Sequence, residues 1–312
     1  MSAEEPELAE DALPVVDVVI ATHNRPQLLR AALDAALAQT YRGRVAITIV
    51  FDRSEPDDSL ELQTVDRSVR VITNQRSAGL AGARNSGIEA GAGDLVAFCD
   101  DDDEWLPTKI EKQVRRLQSS SALTCVTGII VEYEDRRVCR IPTSESVQLG
   151  TLVRKRTMEA HPSTVLVRRR ALLGPIGLVD EKIPGSYGED FDWILRAAES
   201  GSIAVVEEPL VRVRWGQSLF SQKWQTIVDA IDYGIAKHPA FSADRRALGR
   251  LLGRRSFALA ALGRRREALD SAGRSFRSWP GERRAYLAVA VALGLVSSER
   301  LMRMAHRRGH GI

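Results

Sequence analysis

Between residues 15 and 99, short apolar runs alternate with segments of helical period, and that alternation restricts the chain to few folds. Val15-Val16-Asp17-Val18-Val19-Ile20 reads as a buried strand. Leu28, Leu29, Ala32, Leu33, Ala36 and Leu37 then recur at helical spacing, with Pro26 suited to the first turn. Val45 to Phe51 and Val69 to Ile72 are two further strand-like runs. Ala78 to Ala90 reads as a helix of small residues after a Gly-containing turn, and Leu95 to Cys99 as the next strand. Strands alternating with helices predict an α/β domain with a mostly parallel central sheet and flanking helices.

In such a sheet ligands bind at the carboxyl ends of the strands. That rule brings three groups to one edge: the Thr22-His23-Asn24-Arg25 loop, Asp52, and the four aspartates Asp100 to Asp103. Like charges side by side repel, so this run is costly unless something positive binds it. A hard divalent cation, Mg²⁺ or Mn²⁺, takes carboxylate and phosphate oxygens. A solvated acidic turn is the plain alternative.

The middle of the chain is less regular. Lys109 to Leu117 and Asp190 to Ser200 read as helices, and Leu123 to Tyr133, Ser163 to Val167, Ile203 to Val206 and Leu210 to Val213 as strands. Beyond Trp224 only helices are expected, punctuated by Gly253, Gly263, Pro280-Gly281 and Gly294. Residues 1–13 read as a disordered acidic lead-in with no signal-peptide core. Ala285 to Val296 is too short to span a bilayer. Cys99, Cys125 and Cys139 are widely spaced, with Cys99 in an apolar run, so reduced thiols in a cytoplasmic setting are expected.

Charge divides the chain. Residues 225–312 hold 17 Lys and Arg against 7 Asp and Glu, about +10, which leaves about −7 for the rest. This basic helical region is either a solvated cap or a surface that meets anionic lipid, peripherally, at the inner membrane face. No nucleic-acid motif accompanies the charge, and no nucleic-acid partner is expected. Leu251 to Trp279 is similar to one helix-turn-helix repeat of the tetratricopeptide kind.

The segments VVIATHNRPQLLRAALDAALAQTY, IVFDRSEPDD and NQRSAGLAGARNSGIEAGAGDLVAFCDDDDEWLP, followed by Gly188 to Arg196, resemble glycosyltransferase family 2. These are inverting enzymes of the GT-A fold, and the resemblance covers about residues 14–222. It implies a GT-A catalytic domain over 14–224 and an all-α region over 225–312. Thr22, His23 and Asp52 would hold the nucleoside base, with Asn24 and Arg25 in the same loop. A carboxylate at Asp52 can accept a uracil N3–H. Gly79, Gly82, Arg84 and Asn85 match the pattern N-x-G-x-x-x-A-R-N, with Asn74 or Gln75 as a displaced first member. Arg84 would lie near the base or diphosphate.

Asp100-x-Asp102 is similar to the DXD motif. By that resemblance Asp101 lies near the ribose, Asp102 and Asp100 hold Mn²⁺ or Mg²⁺, and Asp103 is free to cap a helix beginning near Leu106. Gly188-Glu189-Asp190 is similar to the acidic ED motif, which makes Asp190 the general base, with Glu189 next in line. Residues 211–218 contain no histidine, where many relatives carry one, so Arg212 or Arg214 would meet the diphosphate instead. His161 would shape the acceptor side or serve structure. Trp193, Trp215 and Tyr187 would stack on a sugar ring or pack in the core.

The reaction so implied is inverting transfer of a hexosyl or N-acetylhexosaminyl group from a UDP-sugar to an acceptor hydroxyl. The acceptor would be a glycan, a lipid-linked sugar or a small natural product. Two other classes compete. A nucleotidyltransferase wants a glycine-rich loop after the first strand, and ATHNRPQ has no glycine. A non-catalytic scaffold has no use for the aspartate run together with Asp190.

Overall fold

A computed structural model describes residues 13–133, 136–214 and 223–307, so residues 1–12 of the acidic lead-in and Trp215 lie outside the described residues, while Leu13, expected to be disordered with them, packs against the core. The chain divides into two compact units. The first comprises Met1–Leu149, Thr157–Glu181 and Glu189–Gly216, and the second Gly150–Arg156, Lys182–Gly188 and Gln217–Ile312.

The first unit is an α/β sandwich around one mixed sheet. Its strands are β1 (Val16–Thr22), β2 (Val45–Phe51), β3 (Leu62–Gln63), β4 (Arg67–Thr73), β5 (Leu95–Asp100), β6 (Asp103–Trp105), β7 (Thr124–Tyr133), β8 (Arg136–Arg140), β9 (Leu166–Arg168) and β10 (Ile203–Arg214). They lie in the order β3-β4-β2-β1-β5-β9-β7-β10-β6, with β8 on β7. The run β4-β2-β1-β5 is parallel, β9 is antiparallel to both β5 and β7, and β10 is parallel to β7.

Side chains alternate across β1. Val16, Val18 and Ile20 face a core shared with Leu29, Ala32, Leu33 and Ala36 of α1 (Pro26–Leu37). Val19 faces the other way, toward α2 (Leu80–Ala90). A Cβ added at Gly87 would come within 2.4 Å of Val19 Cγ1, so the small residues of α2 let its backbone lie directly on the sheet. Ile110, Val114 and Leu117 of α3 (Lys109–Gln118) join the α1 core.

Several expected elements come out differently. The strand expected over Ser163 to Val167 divides into a 3₁₀ turn, Pro162–Thr164, and the short β9. Pro162 has no N–H to give a ladder. The two strands expected between Ile203 and Val213 are one, β10, with a register shift around Pro209. Asp103 is not a helix cap. It opens β6, which pairs antiparallel with β10, while Thr108 is the N-cap of α3.

The second unit is helical. After α4 (Leu149–Arg154) and, in the first unit, α5 (Arg169–Leu172) and α6 (Glu189–Ser200), come α7 (Trp224–Lys237), α8 (Pro239–Ala243), α9 (Arg245–Ala261), α10 (Arg265–Ser278), α11 (Arg283–Ala292) and α12 (Ser298–Arg307). Helices α9 and α10 form the expected hairpin. Gly263 (φ +76°) ends α9, and Gly294 (φ +76°) follows α11. Gly253 does not punctuate: it lies inside α9, where an added Cβ would stand 2.3 Å from Glu282 Cγ. Serine hydroxyls bridge the hairpin, Ser256 to Ala268 O at 2.8 Å, Ser271 to Leu252 O at 3.0 Å and Ser275 to Gly249 O at 2.7 Å. No helix among the described residues is long and apolar enough to cross a membrane.

Candidate active site

Parallel register aligns the carboxyl ends of β1, β2 and β5, with Thr22 beside Phe51 and Ala21 beside Asp100. Asp52 is fixed from three sides. Asn74 Nδ2 donates to it at 2.8 Å, the Gly79 N–H at 3.0 Å, and Arg53 Nε lies 3.6 Å away. His23 Nδ1 sits 2.6 Å from the Asp52 carbonyl. Asn24 and Arg53 both take left-handed backbone conformations, φ +54° and +50°. Asparagine tolerates that region; arginine at this position is strained.

Asn74, the displaced member of the family pattern, organises this corner. It donates to Asp52 and to Ser77 O, and its Oδ1 accepts from Ser86 Oγ at 2.8 Å and from the Arg76 N–H at 2.9 Å. The loop it holds leads into Gly79 (φ +119°) and Gly82, where a Cβ would collide with Ser77 O at 1.9 Å. Asn85 donates to Val179 O and to Glu181.

The four aspartates turn to different partners. Asp100 accepts from Arg84 Nη2 at 2.5 Å. Asp101 accepts from Thr22 Oγ1 at 2.8 Å and Arg25 Nη1 at 3.2 Å. Asp102 takes the same Arg25 nitrogen at 2.9 Å, and its side chain is 37% exposed. Asp103 is buried, accepts from Ser163 Oγ at 2.6 Å and lies 3.3 Å from His161 Nδ1. His161 Nε2 is 3.9 Å from Asp100 Oδ2.

Ligand atoms of Asp100, Asp103 and His161 lie within 4.8 Å of one another. Carboxylate oxygens with an imidazole suit Mn²⁺, and carboxylates suit Mg²⁺, so this donor set fits a divalent cation. Electrostatics agree. Burial and then Asp100 push Asp103 well above the usual carboxylate range, and burial with the neighbouring carboxylates raises Asp102. Burial raises Asp101 against Thr22 and Arg25. Asp100 alone is lowered, because Arg84, His161 and Arg25 outweigh its burial. Added positive charge would favour the ionised form of the whole group.

His161 and Ser163 reach this place through topology that spacing did not reveal. Because β9 runs antiparallel to β5, the turn before β9 falls at the carboxyl end of β5.

Arg84, only 3% exposed, links the aspartates to α6. Its Nη2 holds Asp100 and its Nη1 holds Glu189 Oε1 at 2.9 Å. Burial alone would lower the Arg84 pKa, yet Asp100 and Glu189 raise it. Burial, and then Asp190, push Glu189 up to about 7 against the pull of Arg84. Asp190 Oδ1 accepts from the Phe191 N–H at 2.8 Å. Asp190 also lines a narrow cleft, open to solvent on one side, together with Arg84, Pro162 and Glu189.

The remaining candidates take up contacts of their own, and Trp193 lines the same cleft as Asp190. Arg212 Nη1 is 3.7 Å from Glu104 Oε2, and Arg214 also pairs with Glu104, both along the β10–β6 edge. Trp193 is a core residue, packed edge-on against Phe98 with ring centroids 6.0 Å apart, which seats α6 on β5. Tyr187 belongs to the helical unit, beneath Arg254.

Solved structures share this architecture. That of S. aureus TarS 1-349 in complex with UDP-GlcNAc is 15% identical, has a TM-score of 0.61, and matches over 95% of this chain and 92% of that one. The mannosyltransferase PcManGT from Pyrobaculum calidifontis, in complex with GDP-Man and Mn²⁺, is 15% identical with a TM-score of 0.55, over 96% of this chain and 86% of that one. The fold is that of GT-A glycosyltransferases.

The sequence model of "Glycosyl transferase family 2" matches residues 17–173, and the chain belongs to that family. A relative in Escherichia coli, the UDP-Glc:alpha-D-GlcNAc-diphosphoundecaprenol beta-1,3-glucosyltransferase WfgD, is 29% identical over 233 residues, 72% of this chain and 89% of its own length. The protein is a glycosyltransferase.

Proposed function

We propose that the enzyme moves a hexosyl or N-acetylhexosaminyl group from a UDP-sugar to a hydroxyl of a sugar carried on a lipid diphosphate, with inversion. One observation carries the reading: Arg84 ties the aspartate cluster to the Glu189-Asp190 pair, which puts diphosphate-side and acceptor-side chemistry within one guanidinium's reach. The lipid diphosphate acceptor is supported by the name of the WfgD relative.

In this reading Asp52 accepts a uracil N3–H, with Thr22, His23 and Asn24 shaping the same edge. Asp100 and Asp102 would hold the cation of the DXD motif, and Asp103 and His161, whose ligand atoms lie within 4.8 Å of that of Asp100, would join as further ligands. A bound Mn²⁺ or Mg²⁺ supplies Lewis-acid stabilisation of the leaving diphosphate. Asp101 and Arg25 order the ribose side, and Arg212 and Arg214 supply positive charge at the β10 edge. Asp190 takes the acceptor proton, because Glu189 is buried and committed to Arg84. A single base on the face opposite the leaving group gives in-line attack and inversion.

The test is UDP release with Asp190→Asn. The variant should keep donor-induced thermal stabilisation with Mn²⁺ and lose about 10²-fold or more in turnover, the scale of a general base. Unchanged turnover would remove Asp190 from the mechanism. A panel of UDP-, GDP- and dTDP-sugars in the same assay tests the donor. Stabilisation by UDP that is the same in EDTA would sink the role assigned to the cation.

A further inference from the structure

The helical unit contains a cluster of half-buried arginines that the transfer reaction does not use. Arg250 and Arg254 lie one turn apart on α9, on either side of Gly253. At Gly253 the N-cap of α11, Glu282, is pressed against α9, with its Cγ 2.3 Å from where a Cβ would stand. Arg284, in the first turn of α11, holds Glu282 Oε1 at 3.2 Å.

Arg250 reaches the other side of the cluster. Its Nη2 donates to Val153 O of α4 at 3.3 Å, while its Nε is buried with no hydrogen-bond partner. Arg254 lays its guanidinium over the Tyr187 ring, 5.3 Å from the centroid, and no carboxylate among the described residues pairs with it. The charges of Arg156 and Arg284 bear on both. Burial and these neighbours depress Arg250 to about 10 and Arg254 below its usual value.

Arg250 and Arg254 are half-buried like charges with no carboxylate paired to them among the described residues, an unfavourable arrangement unless an anion joins them. Guanidinium forks fit phosphate oxygens two at a time and hold them on a rigid frame. The Arg250 Nε–H is a donor already withdrawn from water, which an incoming oxygen would satisfy.

We propose that Arg156, Arg250, Arg254 and Arg284 form an anion site for a phosphate or diphosphate ester. The site does not depend on the transferase reading. The same chemistry is presented by a soluble phosphate ester and by a lipid headgroup, and two arms separate them.

In the first arm, full-length protein in EDTA is titrated calorimetrically with inorganic pyrophosphate. The double variant Arg250→Gln/Arg254→Gln should bind about tenfold or more weakly than wild type, with circular dichroism confirming its fold. If the glutamine pair does not fold, Arg250→Lys/Arg254→Lys keeps the charge without the forks and should weaken binding about threefold. In the second arm, protein is floated with phosphatidylcholine vesicles, with or without phosphatidic acid, at about 0.3 M salt, where exposed charges are screened. Flotation that needs both phosphatidic acid and the arginine pair identifies a lipid headgroup. Cluster-dependent pyrophosphate binding without such flotation identifies a soluble ester. Equal pyrophosphate affinity in wild type and folded variants overturns the site, as does the absence of binding in both arms.

Discussion

Glu181 shows how one side chain can hold a ligand-side loop in place. It accepts from Ser77 Oγ at 2.5 Å, the Ser77 N–H at 3.2 Å, Asn85 Nδ2 at 2.7 Å and Arg76 Nε at 2.5 Å. Burial alone would raise its pKa, but these donors bring it down to about 2. A carboxylate with a lowered native pKa stabilises the fold above its unfolded value near 4.5, and that contribution is lost as pH falls from there through about 2. Glu181→Gln should therefore cost about 2–3 kcal/mol at neutral pH and flatten the acid limb of the stability curve. Urea unfolding at pH 7 and pH 3 checks both, and an acid limb as steep as wild type would contradict the assignment. The same loop carries Asn74, which pins Asp52. The strand pattern alone brings Asp52 to the carboxyl edge of the sheet, whereas the displaced spacing leaves Asn74 and Gln75 indistinguishable in sequence, because the partners that single out Asn74 lie on other elements.

At the scale of elements, β1, β2, β4, β5, α1 and α2 are legible in the sequence, because each carries its own period. Strands β9 and β10 are legible only in part, and β6 not at all, because they are short or interrupted by proline and their neighbours rather than their own residues define them. That is also why the approach of His161 to Asp100 could not be read from spacing. The tight seating of α2 predicts that Gly87→Ala, with its new Cβ 2.4 Å from Val19 Cγ1 and 3.1 Å from Val50 Cγ2, costs about 1–3 kcal/mol by overpacking. A melting temperature equal to wild type would mean that α2 can lift off the sheet freely.

A second element-scale expectation concerns α3. Lys109 is fully buried beneath Trp105, 4.0 Å from the ring centroid, and donates to Gln113 Oε1 at 2.8 Å. Burial pushes its pKa down to about 7. Between that value and its unfolded value of 10.5 the unfolded chain binds the extra proton, so this residue makes stability rise with pH. Relative to Lys109→Met, wild type should gain about 1 kcal/mol per pH unit from pH 7 to 9, measured by denaturant unfolding. A constant difference between the two across that range would show that Lys109 stays charged.

For the whole molecule, the separation of charge along the chain leads to the final prediction. The excess of positive charge in residues 225–312 is carried partly by exposed side chains, among them Arg265 and Arg266 at the start of α10. If these helices meet an anionic lipid surface peripherally, each basic residue near it contributes about 1 kcal/mol, and the attraction decays within the Debye length. Flotation with vesicles containing phosphatidylserine should then be strong at about 0.05 M salt and largely lost by about 0.3 M. Arg265→Glu/Arg266→Glu should weaken it about tenfold or more at low salt. The same variant should bind pyrophosphate as wild type does, because Arg265 and Arg266 are not members of the arginine cluster around Gly253. Salt-insensitive flotation would instead point to apolar insertion. If the charge reversal left low-salt flotation intact, the basic exterior would be a solvated cap, with the half-buried cluster as the helical unit's means of holding phosphate.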